Sequence, residues 1–221
     1  MFNFFSNSPQ RWAKLKEAGA GSLKNESSTR WSSREEATSA VSLHLDKIIK
    51  LLERLSESTT ERIDTRSSAQ NLLHAVENYE FFAYLELWSN LLRPINIVQK
   101  KLQKSGLNIR DAAEEIKTLS CFLQNDEKRT KLITQSIDRA KEGSECYGFP
   151  VSKRTRRKKR LDGELSSDVG LSIELQFKRV ATEVLDRLHM EMKDRFQRLE
   201  NHVDTFGFLL EPSHLLELVY G

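Results

Sequence analysis

The sequence predicts an all-α protein, and three observations support that fold class. Apolar residues recur in steps of three and four over several long segments, as they do on the buried face of a helix. Nine Gly and four Pro leave little material for the many turns of a β architecture. Hydrophobic residues make up 38% of the chain and charged residues 30%, a balance that favours a folded helical protein over a disordered one.

The chain of 221 residues divides into four predicted parts. Residues 1–33 form a polar, Ser-rich N-terminal segment that ends in an Arg-Trp motif. Residues 34–142 form a helical bundle, residues 143–170 a basic linker, and residues 171–221 a long C-terminal helix with a tail. A chain of this length is sufficient for one good core, which we expect in the bundle.

The helix that opens the bundle is predicted from a capping box formed by Ser33 and Glu36. In a capping box each side chain accepts a hydrogen bond from the other residue's backbone N–H. The apolar stripe of this helix follows at Ala37, Val41, Leu45, Ile48, Leu52 and Leu55.

Residues 69–92 are apolar nearly all round, and a helix without a clear polar face belongs at the centre of a bundle. Pro94 is expected to break or kink that helix, because its ring clashes with the preceding turn. Asn108 is a candidate cap for the following helix, whose apolar stripe reaches Leu123.

The last long helix is predicted over residues 177–203, which would span roughly 40 Å at 1.5 Å per residue. Its apolar face consists of Phe177, Ala181, Val184, Leu188, Met192, Phe196, Leu199 and Val203. A long apolar face of this kind is able to pair with another chain, so self-association is one expected partner interaction.

Positive charge is concentrated in residues 153–160. The seven cations there are Lys153, Arg154, Arg156, Arg157, Lys158, Lys159 and Arg160. Removing them from a chain of net charge +3 leaves the rest at −4. Such a run is able to bind an import receptor or a DNA phosphate backbone, or it forms a solvated loop. We favour nuclear import, which predicts a nuclear protein.

The residue types that support other chemistries are scattered. Cys121 and Cys146 lack any CxxC spacing and are expected to be reduced thiols, and the five His form no metal-binding pair. There is no Gly-rich phosphate loop and no apolar run of the ~18 residues that a membrane span needs. The sequence therefore predicts no metal, no cofactor and no membrane partner.

Arg30 and Trp31 form the most informative motif. A flat aromatic ring beside a guanidinium at the mouth of a helix is able to stack on a base and bind a phosphate. The alternative is that Trp31 is a core anchor, since most tryptophans are largely buried. Trp12 is interpreted as a packing residue.

The motif stands in a wider pattern. Before Thr29-Arg30-Trp31 the chain has Phe5, Ser8-Pro9, Arg11-Trp12 and Leu15. After it come an aromatic run at residues 79–88, a helix over residues 108–119, the basic run, and Asp186 through Arg195-Phe196. In this order of features the chain resembles the hAT superfamily of DNA transposases, in the branch found in MYM-type zinc-finger proteins.

The resemblance implies the helical insertion domain of an RNase H-like fold. It also implies that Trp31 stacks on a base flipped out at a transposon end, with Arg30 beside it, so DNA is an expected partner.

The chain departs from the family at its catalytic acids. In the resembled family three acids hold two metal ions, the first two before the Arg-Trp motif and the third beyond the helical insertion. Residues 1–16 contain no acid, and Glu211 and Glu217, the carboxylates available near the end, are expected to be solvated. We therefore expect a transposase-derived nuclear fragment without catalytic residues. The rival is a nuclear helical scaffold that dimerises through residues 177–203.

Overall fold

The computed structural model describes residues 1–21, 23–25, 31–104, 108–151 and 172–206. Every regular element in these residues is an α-helix, which confirms the predicted fold class. The helices in chain order are α1 (Phe2–Ser6), α2 (Pro9–Glu17), α3 (Trp31–Glu57), α4 (Ile63–Val76), α5 (Tyr79–Leu102), α6 (Ile109–Gln124), α7 (Asp126–Tyr147) and α8 (Ile173–Phe206). Among these described helices none is both long and apolar enough to cross a membrane.

Helix α5 lies at the centre of the bundle and packs against α3, α4, α6, α7 and α8. Its central position was predicted, but its start was not. The apolar run that begins at Ala69 is split between α4 and α5, because Asn78 caps α5 by accepting a hydrogen bond from the Phe81 N–H at 2.8 Å. Pro94 does not end the helix, which continues to Leu102.

Two clusters of buried residues flank α5. The first lies among α1, α2, α3, α4, α7, the N-terminal half of α5 and the first turns of α8, and includes Leu52, Phe82 and Ala140. The second lies among α6, α8 and the C-terminal half of α5, and includes Leu91, Leu119 and Leu188.

The N-terminal segment is rich in polar residues, but its apolar side chains take part in the core. Phe5, Leu15, Ala20 and Leu23 are buried in the first cluster. Trp12 packs edge-to-face on Phe2 with ring centroids 5.9 Å apart, which agrees with its predicted packing role. The N-terminal segment and the bundle therefore share one core.

Helix α3 begins at Trp31, three residues before the predicted start at residue 34. The predicted capping box is wrong, because Ser33 lies inside the first turn and its hydroxyl donates to the backbone carbonyl of Asn25 at 3.0 Å. Glu36 is exposed.

Helix α7 extends past the predicted linker boundary to Tyr147, and Gly148 ends it in the left-handed conformation at φ +70°. Gly143, which suggested a linker, is buried inside α7 against the Phe82 ring. A methyl group at residue 143 would lie 2.5 Å from that ring, so the close approach of α5 and α7 requires glycine.

Helix α8 has 34 residues and exceeds its predicted length at both ends. Its buried residues are Phe177, Ala181, Leu185, Leu188 and Met192. They pack mainly against α6 and α7, and Arg129 of α7 forms an ion pair with Asp186. The apolar face that was expected to pair with another chain thus packs within this one over residues 177–192.

Candidate functional site: an aromatic groove between α3 and α5

Helix α3 consists of two unlike halves separated by a kink at His44, whose backbone is non-helical (φ −117°, ψ 15°). In the C-terminal half, Leu45, Ile48, Ile49, Leu51, Leu52 and Leu55 are buried. In the N-terminal half, residues 31–43 include no buried residue. Ser32, Ser33, Thr38, Ser39 and Ser42 supply small polar side chains there, which cannot fill the space beside α5.

A groove of about 560 Å³ results between this half of α3 and the facing side of α5. Helix α3 contributes Trp31, Arg34, Ala37 and Thr38, and α5 contributes Glu80, Phe81, Tyr84, Leu85, Trp88 and Leu92. Ala75 and Asn78 line the end nearest α4. The α5 residues from 81 onward recur in steps of three and four, so one face of the helix presents them all to the groove.

Trp31 is half-buried and lies between the core and the groove. It lines the groove, and it also packs against the second buried cluster. The guanidinium carbon of Arg34 lies 5.4 Å from the centroid of its ring, within cation–π range. Trp31 is therefore anchored from the core while part of its ring borders open space.

Arg30 lies outside the described residues, as do all seven cations of residues 153–160. The cation that the structure brings to Trp31 is Arg34, one helical turn further along α3. Arg34 was not among the predicted site residues.

Three further groove residues were missed as site residues. Phe81, Tyr84 and Trp88 were assigned to the core, but each is only half-buried and lines the groove. Aromatic residues at positions i, i+3 and i+7 of one helix were the available signal. This spacing indicates a binding surface only once that helix is known to face the small polar residues of α3.

A polar clamp holds the two walls of the groove together. The Asn96 side chain, 4% exposed, donates from Nδ2 to Glu35 Oε2 at 2.9 Å. Glu35 Oε1 accepts in turn from the Ser39 hydroxyl at 2.9 Å. Asn96 Oδ1 is buried and has no hydrogen-bond partner among the described residues. The Asn96–Glu35 hydrogen bond therefore fixes the α3 wall against α5, next to Arg34.

The charges of the groove lie near its two ends. Arg34 is at the end near the Glu35–Asn96 clamp, whereas Glu80 is in the first turn of α5. Glu80 precedes Leu92 by twelve residues, roughly 18 Å along the helix axis. The intervening walls are aromatic and aliphatic, so the groove suits planar uncharged faces better than a chain of phosphates.

The part of the chain that the structure describes gives little support for a metal site or a disulfide. Its His, Cys, Asp and Glu residues form no group of three that could hold a metal ion. Cys121 and Cys146 are free thiols exposed to solvent. Glu211 and Glu217 lie outside the described residues.

The described residues thus form a helical bundle with an aromatic groove between α3 and α5. No protein-family model, no curated protein and no solved structure matches this chain.

Proposed function

We propose that this chain is a DNA-binding protein derived from a hAT-type transposase, and that it contacts unpaired bases in the α3–α5 groove. The observation that carries the proposal is the position of Trp31, whose ring borders the groove that Trp88 and Tyr84 also line, with the Arg34 guanidinium within cation–π distance of it. Base–aromatic stacking contributes about 1–3 kcal/mol per base and tolerates any base, because every base has a flat π-face. The sequence resemblance independently assigns base stacking to Trp31.

The start of α3 supports the same proposal. The N-terminus of a helix favours anions, and α3 begins at Trp31 itself. A base on the Trp31 ring would bring its phosphate toward this helix end and toward Arg34. One residue pair then supplies both a stacking surface and a charge for the backbone.

The proposed role is binding without strand transfer. A hAT-type reaction needs three acids around two metal ions, and the sequence before Arg30 lacks any acid among residues 1–16. Purified chain with Mg²⁺ or Mn²⁺ should therefore neither nick nor join DNA. Metal-dependent nicking that is lost on changing Glu211 or Glu217 to Gln would overturn this part of the proposal.

Residues 153–160 are proposed to direct nuclear import. Changing Arg156, Arg157, Lys158 and Lys159 to Ala should leave a tagged protein outside the nucleus, and unchanged nuclear accumulation would reject the role. On single-stranded DNA, binding through the seven cations would give a slope of log affinity against log salt concentration of about −5, whereas a contact with one phosphate would give about −1. Salt dependence therefore separates binding by the groove from binding by the basic run.

Binding to a DNA hairpin with one unpaired thymine, followed by anisotropy of labelled DNA, tests the function. Trp31→Ala should weaken binding by about 1–3 kcal/mol, and Trp31→Phe should restore part of the loss because a smaller aromatic face remains. Trp12→Ala is the matched control, because Trp12 packs on Phe2 and does not line the groove. Equal affinity of wild type and folded Trp31→Ala would reject the proposed function.

A second candidate function is a helix-binding interaction protein. The observation that favours it is the length of the apolar wall, since Phe81 and Leu92 are eleven residues or roughly 16 Å apart, about three helical turns. An amphipathic helix binds such grooves through residues at i, i+3, i+4 and i+7. If the protein is an interaction protein, this groove is a better surface for it than residues 177–192 of α8, which pack within the chain.

A further inference from the structure

The side of α5 that meets the N-terminal half of α3 carries buried polar atoms. Ser89 Oγ, Asn96 Oδ1 and Gln99 Oε1 are buried and have no hydrogen-bond partner among the described residues. These positions are seven and three residues apart, so they lie along one side of the helix. Asn96 places this side against α3, because its Nδ2 donates to Glu35. The contact between the two helices is therefore a polar seam, unlike the Leu and Ile packing of α3 after His44.

The orientation of the Asn96 amide in this seam is fixed. A carboxylate only accepts hydrogen bonds, so Nδ2 must face Glu35 and Oδ1 must face away from it. Turning the amide over would place its oxygen against a carboxylate oxygen. A buried acceptor that lacks a donor is more stable when water reaches it, so Asn96 Oδ1 and Gln99 Oε1 favour separation of the two helices.

Few contacts oppose this separation. Within residues 31–43, the hydrophobic side chains that pack against the two buried clusters are those of Trp31 and Val41, and both are only half-buried. Ser33 adds one exposed hydrogen bond, to the Asn25 carbonyl. An isolated helix shorter than about 15 residues is marginal in water, so such contacts decide whether this segment stays on α5.

The kink at His44 gives the segment a place to turn. His44 has non-helical backbone angles inside α3, and hinges absorb motion at a few residues of this kind. The kink itself is held from the N-terminal segment. The His44 ring lies so close to Gly21 that a methyl group there would be 2.9 Å from Nε2, and Lys47 donates to the Gly19 carbonyl at 2.9 Å. The firmly held part of α3 therefore begins at the kink.

We infer that residues 31–43 form an arm that undocks from α5 as one unit, turning at His44, while the rest of the protein stays folded. The Glu35–Asn96 hydrogen bond sets the docked population, since undocking breaks it. The undocked state hydrates the polar atoms of α5 and separates the two walls of the groove. Undocking does not depend on a ligand, so its test is separate from that of the proposed function.

Amide hydrogen exchange of the full chain, followed in ¹H–¹⁵N spectra, tests the arm. Residues 35–43 are compared with residues 48–55, because the first four N–H groups of a helix lack intrahelical partners and exchange in any case. The arm amides should share one protection factor, at least roughly 100-fold below that of residues 48–55, with a step at His44. Protection that rises gradually along the helix would mean fraying from its end, and equal protection would mean one rigid helix. Either result overturns the inference.

Asn96→Ala should accelerate exchange of the arm. Loss of a hydrogen bond to a charged group is expected to speed arm exchange by roughly 10- to 150-fold and to leave residues 48–55 unchanged. Asn90→Ala is the matched control, because Asn90 is on the same helix and donates within it, to Glu86 at 2.7 Å. An effect of Asn96→Ala on the arm no larger than that of Asn90→Ala overturns the inference.

Ser89→Ala is a second variant that should act in the opposite direction. It removes a buried hydroxyl without a partner among the described residues and leaves a side chain of similar size. Docking then becomes more favourable, and exchange of the arm should slow by roughly threefold or more. Unchanged or faster exchange of the arm in folded Ser89→Ala overturns the inference, and this holds even if Asn96→Ala does not fold.

Discussion

The two halves of α3 show how one helix provides stability and a binding surface in different places. After His44 its Leu and Ile side chains are buried in the first core cluster, whereas before His44 none of its side chains is buried and those facing α5 beyond Arg34 are the small Ala37 and Thr38. The helical periodicity is the same in both halves, since Ala37 and Val41 continue the stripe of Leu45 and Ile48. Side-chain size, not periodicity, determines whether the helix fills the space beside it or leaves a groove.

The same contrast occurs between neighbours on α5. Phe82 is 1% exposed and meets the rings of Tyr147 and Phe149 at 5.8 and 5.2 Å, whereas Phe81 is half-buried in the groove. The two rings are edge-to-face, with centroids 6.2 Å apart. Successive residues of a central helix thus belong to the closed core and to the open groove.

Leu52→Ala should have the largest effect on stability. Leu52 is completely buried in the C-terminal half of α3, so its truncation is expected to cost about 2–5 kcal/mol in the free energy of unfolding. Urea denaturation measures the loss. Thr38→Ala in the N-terminal half is the counterpart and should change stability by less than about 0.5 kcal/mol. Similar losses at both positions would remove the contrast between the halves.

Gly143→Ala measures how tightly α5 and α7 pack against each other in the first buried cluster. The added methyl would lie 2.5 Å from the Phe82 ring, and overpacking of this kind is expected to cost about 1–3 kcal/mol. Adding Phe82→Leu should recover part of that cost, which a double-mutant cycle detects as coupling. Glu142→Ala, at an exposed neighbouring position, should be close to neutral.

Asn96→Ala tests the clamp between the two walls. Removing a side chain that donates to Glu35 from a buried position should cost about 1–2 kcal/mol in stability. It should also weaken binding of unpaired DNA, because the α3 wall loses its fixed position against α5. Loss of stability without any loss of binding in the folded variant would show that the clamp does not position Trp31.

Tyr79, in the first buried cluster, should make the free energy of unfolding depend on pH. Near neutral pH this effect is expected to be the smallest of the four. Burial raises the pKa of Tyr79 to about 12, and the charges of Glu174 and Asp138 add to the shift. The folded protein therefore holds this proton more tightly than the unfolded chain, whose tyrosine pKa is about 10. Stability is fully present below pH 10 and is lost as the pH rises toward 12. Tyr79→Phe should make this loss shallower in alkaline unfolding, and an identical loss in both proteins would contradict the assignment.

The sequence predicted the helical class, the central helix and the buried stripes of α3 and α8, because these depend on apolar periodicity. It failed at the ends of elements: Ser33 is not the cap of α3, and Gly143 is inside α7. Each failure has a tertiary cause, such as the Asn25 carbonyl that binds Ser33 and the Phe82 ring that packs on Gly143.

The groove was only partly foreseeable. Trp31 was selected from its motif, but Trp88, Tyr84 and Phe81 were expected in the core, because a helix that is apolar all round gives no sign of which face lacks a neighbour. Glu35 and Asn96 are 61 residues apart, and no local pattern links them. The pairing of α3 with α5 had to be known before either set of residues could be recognised.

The indole N–H signals of the three tryptophans provide the most direct test of the central claim, that the α3–α5 groove binds DNA. Trp31 and Trp88 line this groove, whereas Trp12 is in a separate depression beside α1 and α2. A ¹H–¹⁵N titration of the full chain with a short single-stranded oligothymidylate should shift the Trp31 and Trp88 signals and leave that of Trp12 in place. Saturable DNA binding that moves neither groove signal, or that moves Trp12 alone, would contradict the account.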